Sequence, residues 1–325
     1  MGISKKKKTT LTCVVSALDE ASRALGRRRT VCCIGVFDGV HLGHQRLIAA
    51  AVREARHRRC WSVVLTFRNH PLSLLAPAYA PLLLTDVEGK VKQIAALRPS
   101  LIGTIEFERK TAHLEPETFV EQVLAKQLHA VSVWCGTDFR FGRDGRGETR
   151  LLRRLAHRFG LSVHTIQPVC LHGRIVSSTW IRSLIERGEV EQAAQCLGRP
   201  HVVCGQVVRG HGRGRQLGYP TANLAPRTGI VLPCDGIYAV QVEVGRRQLG
   251  GMMHVGPAPT FGIADRRLEV YLFDFHGSLL SETIAVRFVA RLRDVKRFGS
   301  PDQLILQMKD DERRSRSLLE RTSHG

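Results

Sequence analysis

The sequence predicts an α/β domain followed by a small all-β domain that closes with a helix. Strand-like and helix-like segments alternate up to about residue 198, and beyond Gly198 the texture changes to short β-rich runs separated by glycine, proline and charged turns. The third observation is length. A chain of 325 residues with 43% hydrophobic and 24% charged residues has room for two domains that each bury a core. The boundary falls at 198/199, which gives domains of residues 1–198 and 199–325.

The elements follow from local pattern. Val31 to Val36 is a continuous apolar run and reads as a buried strand. Gly43 to His57 has helical spacing, with Leu47, Ile48, Ala51, Val52 and Ala55 on one face, and Trp61 to Phe67 supplies the second strand of a βαβ unit. Helices near 88–97 and 115–128, a strand at 130–135, a helix at 148–159 and a strand at 162–168 continue the alternation. That order predicts a parallel sheet covered by helices, with ligand at the carboxyl ends of the strands. In the second half, 201–208, 236–244, 250–255, 268–275 and 283–288 predict an antiparallel barrel or sandwich, and 301–320 reads as one amphipathic helix.

Charge narrows the partners. The chain has 49 Lys and Arg against 29 Asp and Glu, a net charge of +20 that favours polyanions and phosphate-bearing small molecules. Only 6% of residues are aromatic and no RNA-binding motif is present, so no specific nucleic-acid partner is expected. The nine cysteines form neither a Cys-x-x-Cys pair nor a zinc-like cluster, which suits a reducing cytoplasm. The apolar run after the N-terminal lysines is interrupted by Thr12 and Ser16 and followed by Asp19 and Glu20, unlike a secretion signal. No run approaches the roughly 20 apolar residues of a membrane span, so no membrane partner is expected.

The stretch GVFDGVHLGHQRLI, Gly35 to Ile48, follows the first strand. Its glycines permit a sharp turn that brings backbone N–H groups and a helix N-terminus together, a ready phosphate site. His41 and His44, three residues apart, would present two donors to charge developing on a transferring phosphate. LTFRNHP (Leu65 to Pro71) ends the second strand, CGTDFRFGRDGRG (Cys135 to Gly147) follows a later one, and VSSTWIRSLIERGEV (Val176 to Val190) opens a helix with capping hydroxyls. In the second half GQVVRGHGRGRQLGYPTANL (Gly205 to Leu224) is followed by LPCDGIYAV, HVGPAPTFG, LEVYLFDF and RLRDVKRFGSPDQL.

In this order the first set resembles the FMN adenylyltransferase module of bacterial FAD synthetase, a Rossmann-like nucleotidyltransferase, and the second resembles riboflavin kinase, a small antiparallel β-barrel. Together they resemble the bifunctional riboflavin kinase/FAD synthetase family from about Val31 to Asp311. The resemblance implies phosphorylation of riboflavin to FMN by ATP, then adenylylation of FMN to FAD with release of pyrophosphate. Both reactions would use Mg²⁺, in a cytoplasmic monomer or weak homo-oligomer. It implies that Gly35, Phe37, Asp38, Gly39, His41 and His44 lie at the ATP phosphates, with His41 and His44 catalytic. His70 and Pro71 would lie near the nucleotide, Asp138 in its loop, and Ser178, Thr179 and Arg182 on the triphosphate. In the kinase, Gly210, Gly212, Arg213, Gly214, Arg215, Gly218 and Pro220 would form the nucleotide loop. Thr221 and Asn223 would bind the metal, and Glu269 would take the ribityl hydroxyl proton. By alternation alone, Glu269 between Leu268 and Val270 is an outward strand residue. Two departures from the family pattern stand out: Ser278-Leu279-Leu280-Ser281 after the LEVYLFDF strand, and Met252-Met253-His254 where an Asn before Ile-Gly is common.

Overall fold

The computed structural model describes residues 12–210, 214, 217–258 and 263–323. By contacts these fall into two units, one comprising the chain up to Pro81 with Val87–Val176, the other Leu82–Asp86 with Ser177 onward.

The first unit is built on a six-stranded parallel sheet. Its strands are β1 (Cys13–Val15), β2 (Thr30–Ile34), β3 (Trp61–Phe67), β4 (Leu101–Ile105), β5 (Ala130–Cys135) and β6 (Ser162–Thr165). Their spatial order is β1-β4-β3-β2-β5-β6. All five residues of β2 are buried, as a central strand covered on both faces requires. Alternation divides them: Cys32 and Ile34 enter the apolar cluster on one face, Val31 and Cys33 that on the other. Helix α1 (Leu18–Leu25) adds Ala21 and Leu25 to the first cluster, and α2 (Leu42–His57) adds Leu47, Ile48 and Ala51 to the second. Helix α3 (Val87–Ala96) precedes β4, and the segment 116–127 precedes β5. That segment winds into a wider helix, with Leu128 N–H bonded to the Val123 carbonyl. Helix α4 (Thr149–His157) leads into β6. The strand order reverses direction at β2, so the crevice beyond its carboxyl end is where this topology holds a ligand.

The second unit carries helices α5 (Ser178–Glu186) and α6 (Val190–Leu197), a barrel, and α7 (Pro301–Ser323). The barrel strands are β7 (His201–Val208), β8 (Thr221–Pro226), β9 (Gly236–Val244), β10 (Arg247–Ala258), β11 (Ile263–Leu272) and β12 (Thr283–Arg293). They close in the order β7-β8-β11-β10-β9-β12 with every pair antiparallel. Period-2 alternation fills the interior, with Val240, Met253, Val270, Val286 and Phe288 among its buried side chains. The closed barrel thus decides between the two architectures that alternation leaves open. The Ser278–Ser281 departure is a turn in which Leu279 joins this interior, while Ser281 N–H bonds to the Val207 carbonyl.

Helix α7 packs outside the barrel, where Leu319 meets Tyr219, Met252 and Phe273. It is tied down by Arg293, whose Nε lies 3.0 and 3.1 Å from the two oxygens of Asp311, with a further bond of 2.7 Å from its terminal nitrogen. Asp311 is 1% exposed and also accepts from Gln307. Removing one partner of a buried pair strands the other, so Asp311→Ala is expected to destabilise the barrel unit by about 3–5 kcal/mol. Chemical denaturation checks this; an unchanged midpoint would contradict the buried-pair account.

Val190 of α6 is fully buried in the barrel's own core cluster. A fragment starting at Leu197 loses it, and burying one Val is worth about 1.5–3 kcal/mol. A fragment starting at Ser177 is therefore expected to melt higher than one starting at Leu197. Equal melting temperatures would show that α6 adds nothing to the barrel.

Candidate active sites

The chain leaving β2 is strained where the first site is expected. Phe37, Gly39 and Val40 all have positive φ (51°, 77° and 40°), a conformation that is rare for a β-branched residue such as Val40. Residues in such conformations persist where surrounding structure over-determines them, often at ligand clamps. Here the restraints are visible: the Val36 carbonyl accepts from Thr66 Oγ1 at 2.9 Å and Lys90 Nζ at 3.1 Å, and the Val40 carbonyl accepts from the Gln45 amide at 2.8 Å.

The turn delivers His41 as the N-cap of α2, its Nδ1 accepting from His44 N–H at 3.4 Å. The two rings stack with centroids 3.6 Å apart, and Phe37 meets His44 edge-on at 5.2 Å. His41 is buried and His44 half-buried, and the buried Nδ1 of His44 has no hydrogen-bond partner among the described residues. Burial, then the neighbouring His41 and Lys90, hold the His44 pKa well below the usual histidine range. Its imidazole is therefore neutral, with polar capacity to spare for an anion. Asp38 and Gly39 are buried in the same turn. Gly35 sits close against the Phe37 ring.

At the end of β3, His70 caps the helical turn Pro71–Leu75, with Nδ1 accepting from Leu72 N–H at 3.2 Å and Pro71 at the first position. Asn69, which sequence reasoning passed over, pairs through its amide with both backbone groups of Phe107 at 2.7 and 3.0 Å. It thereby fastens the loops after β3 and β4 to each other. Asp138 is exposed in the loop after β5. In the second unit Ser177 caps α5, accepting from Trp180 N–H at 3.2 Å, which places Ser178 and Thr179 in the first helical turn. Helix N-termini of this kind suit phosphate. Arg182 donates from Nε to the Leu82 carbonyl at 2.7 Å.

The second candidate site lies on the outer wall of the barrel. Asn223 on β8 pairs in register with Glu269 on β11, which pairs in register with His254 on β10. Thr221 Oγ1 donates to Glu269 Oε2 at 3.4 Å. The three strands thus form one row, and His254 stands directly across from the carboxylate. Burial lowers the His254 pKa, opposed by the charge of Glu269. A Cβ at Gly210 would collide with the Asn223 amide, and one at Gly214 with the Tyr219 carbonyl, so this loop approaches the row only as glycine. Gly218 and Pro220 lie on the segment entering β8. Gly212, Arg213 and Arg215 lie outside the described residues. The described residues hold no cluster of three or more His, Cys, Asp or Glu suited to a metal. The donors on this row are a hydroxyl, an amide oxygen and a carboxylate, all hard oxygens. That set fits Mg²⁺ arriving with nucleotide phosphates, which would complete its shell.

A parallel sheet with a strained, histidine-bearing turn at its switch point, joined in one chain to a barrel with an oxygen-rich row, defines a two-domain enzyme of phosphate chemistry. The comparisons with known proteins agree. The FAD synthetase family model matches residues 25–180 and the riboflavin kinase model residues 197–319. A bifunctional riboflavin kinase/FMN adenylyltransferase of Escherichia coli (strain K12) is 34% identical over 89% of this chain and 92% of its own length. One from Bacillus subtilis (strain 168) is 32% identical over 87% of this chain and 90% of its own. A solved structure described as a macrolide-efflux protein from Streptococcus pneumoniae has a TM-score of 0.82 at 32% identity, covering 93% of this chain and 98% of that one. In the present protein no described helix is long and apolar enough to cross a membrane. The chain belongs to the bifunctional riboflavin kinase/FMN adenylyltransferase family.

Proposed function

We propose that the chain carries out two successive reactions: riboflavin and ATP give FMN and ADP at the barrel row, then FMN and a second ATP give FAD and pyrophosphate at the β2 turn. The observation that carries this reading is that each family model spans a stretch containing its own preformed constellation. These are the stacked His41–His44 pair in one and the Thr221–Asn223–Glu269 row in the other. The functional division is at 198/199.

In the kinase reaction Glu269 accepts the proton of the ribityl hydroxyl as its oxygen bonds to the γ-phosphorus of ATP. Thr221 and Asn223 would hold Mg²⁺, which would neutralise charge on the nucleotide phosphates. Gly210, Gly212, Arg213, Gly214, Arg215, Gly218 and Pro220 belong to the loop over those phosphates. In the adenylyl transfer no covalent enzyme intermediate is needed, because catalysis is alignment and charge stabilisation. Gly35, Phe37, Asp38 and Gly39 shape the ATP-phosphate turn, and His41 and His44 donate to the transferring α-phosphate. His70, Pro71 and Asp138 border the nucleotide, while Ser178, Thr179 and Arg182 engage the triphosphate. The partners are riboflavin, FMN and ATP rather than nucleic acid, in a cytoplasm whose reducing conditions suit nine free thiols.

Incubating the pure protein with riboflavin, ATP and Mg²⁺ and separating the flavins over time is expected to show FMN rising first, then FAD. FAD from supplied FMN with none from riboflavin would leave the barrel without kinase activity and overturn half of the reading.

A further inference from the structure

One charge at the first site belongs to none of the motifs. Lys90 on α3 is 3% exposed, and its ammonium donates to the Phe67 carbonyl at 2.7 Å and the Val36 carbonyl at 3.1 Å. Phe67 ends β3, and Val36 lies two residues beyond β2. A single side chain therefore joins the two strand ends from which the His41–His44 turn and the His70 loop depart. Helix α3 packs against the turn Asp38–Val40 itself. Desolvating an ammonium is costly, and an apolar side chain of the same length would fill this position without that cost. The charge lies beside groups it can influence. Asp38 on the turn favours its protonated form, and Lys90 in turn disfavours protonation of His44 on α2.

We propose that Lys90 is a positioning residue for FMN adenylylation: it fixes the ends of β2 and β3 relative to each other and sets a positive charge behind the histidine turn, so that His44 meets the incoming polyphosphate as a neutral donor. The inference rests on the adenylyltransferase reading of this site. In the reaction an oxygen of the FMN phosphate bonds to the α-phosphorus of ATP, the bond from that phosphorus to the bridging oxygen breaks, and its electron pair leaves with pyrophosphate. Lys90 forms no bond and transfers no proton; its part is geometry and field. A role of this kind acts through other groups, and losing such support typically costs about 10–100-fold in activity.

Its titration supplies a readout that a purely structural lysine would not give. Burial brings the Lys90 pKa down to about 8, with Asp38 opposing the shift. The groups facing it are Asp38 on the turn and His44 on α2, with the Val36 and Phe67 carbonyls as its bonded neighbours. The charge is present below that pH and lost above it, so kcat/KM for ATP in FAD synthesis, which reports the free enzyme, should fall on the alkaline side.

The test uses the full chain. Lys90→Met keeps the length and removes the charge. It is expected to retain riboflavin phosphorylation within about 2-fold, to lower kcat for FMN adenylylation about 10–100-fold, and to lack the alkaline limb near pH 8 shown by the unsubstituted protein. Lys90→Ala is expected to recover part of its FAD synthesis when methylammonium or ethylammonium is added. The proposal is overturned if the unsubstituted protein shows no such limb, if Lys90→Met follows the same pH curve, or if alkylammonium ions restore nothing. Loss of kinase activity in both variants would assign Lys90 to the fold and overturn it equally. If the unsubstituted protein makes no FAD from FMN and ATP, the adenylyltransferase reading itself fails, a result distinct from any of these.

Discussion

His44→Ala is expected to lower FMN-to-FAD conversion about 10²–10³-fold, the usual loss when one transition-state donor is removed, while riboflavin phosphorylation continues at its normal rate. The argument starts from the imidazole's surroundings. His44 is half-buried, stacked on His41 at 3.6 Å, and holds a buried ring nitrogen with no partner among the described residues. An unsatisfied buried polar atom carries a desolvation cost, and an anion binding there would relieve it. His44 is also the cleaner probe of the pair, because His41 caps α2 and its removal would cost helix stability as well. The depressed pKa adds a second expectation. An ordinary histidine loses its proton near pH 6.5, but His44 is already neutral there. FAD synthesis should therefore show no loss of kcat/KM across the ordinary histidine range, as pH rises from roughly 6 to 7, below the alkaline limb assigned to Lys90. Flavin separation by chromatography measures both effects. Equal loss of both activities in a folded variant would contradict two independent sites.

The contrast between His44 and Lys90 shows what local pattern can carry. The histidines stand out in sequence because a glycine-rich turn after an apolar run states their context within a dozen residues. Lys90, in VEGKVKQIAA, stands four residues before Ile94 on the buried face of its helix, where a charged residue has no partner within the helix itself. It is buried because of carbonyls 54 and 23 residues earlier in the chain, which no local period reveals. The same distinction runs through the fold. Strands β3, β5, β7 and β9 lie where hydrophobic runs and alternation predict them, because the cause is in the run itself. Strand β4 carries no alternation that would predict it, because Gly103 interrupts the run; a Cβ there would lie 2.9 Å from Leu65 Cδ1 on the paired strand. β1 is three residues long and too short to show a period. The Pro-Thr-Ala-Asn stretch is absent from the strands that alternation predicts, yet Thr221 opens β8, since β7 and β11 pair with that strand from either side. Of the candidate site residues, the sequence supplied the chemical types, and the strand register supplied the row. His254, noticed only as a departure, acquires a neighbour in Glu269 through pairing across 15 positions of chain.

That row makes Glu269→Gln the sharpest test of the kinase half. The substitution keeps the size and one acceptor oxygen and removes the charge, so riboflavin binding should stay within a few-fold while kcat for FMN formation falls about 10²–10⁴-fold. Position on the outer wall alone does not give Glu269 a role; alternation places it there regardless, with Leu268, Val270 and Leu272 turned into the core. What favours a functional carboxylate is its company. Thr221 Oγ1 donates to it at 3.4 Å, Asn223 stands in register on one side and His254 on the other, and Gly210 and Gly214 bring the loop backbone against this same row. Asn223→Ala should behave differently, because a neutral oxygen ligand holds metal and not a proton. Its defect should appear as weakened binding of the Mg²⁺-nucleotide, partly recovered at high Mg²⁺, whereas no concentration of Mg²⁺ restores a missing base. Adenylylation of supplied FMN should be untouched in both variants. If Glu269→Gln phosphorylates riboflavin at the unsubstituted rate, the carboxylate is an outward strand residue and nothing more, and His254, facing the same row from β10, becomes the group to test for the proton.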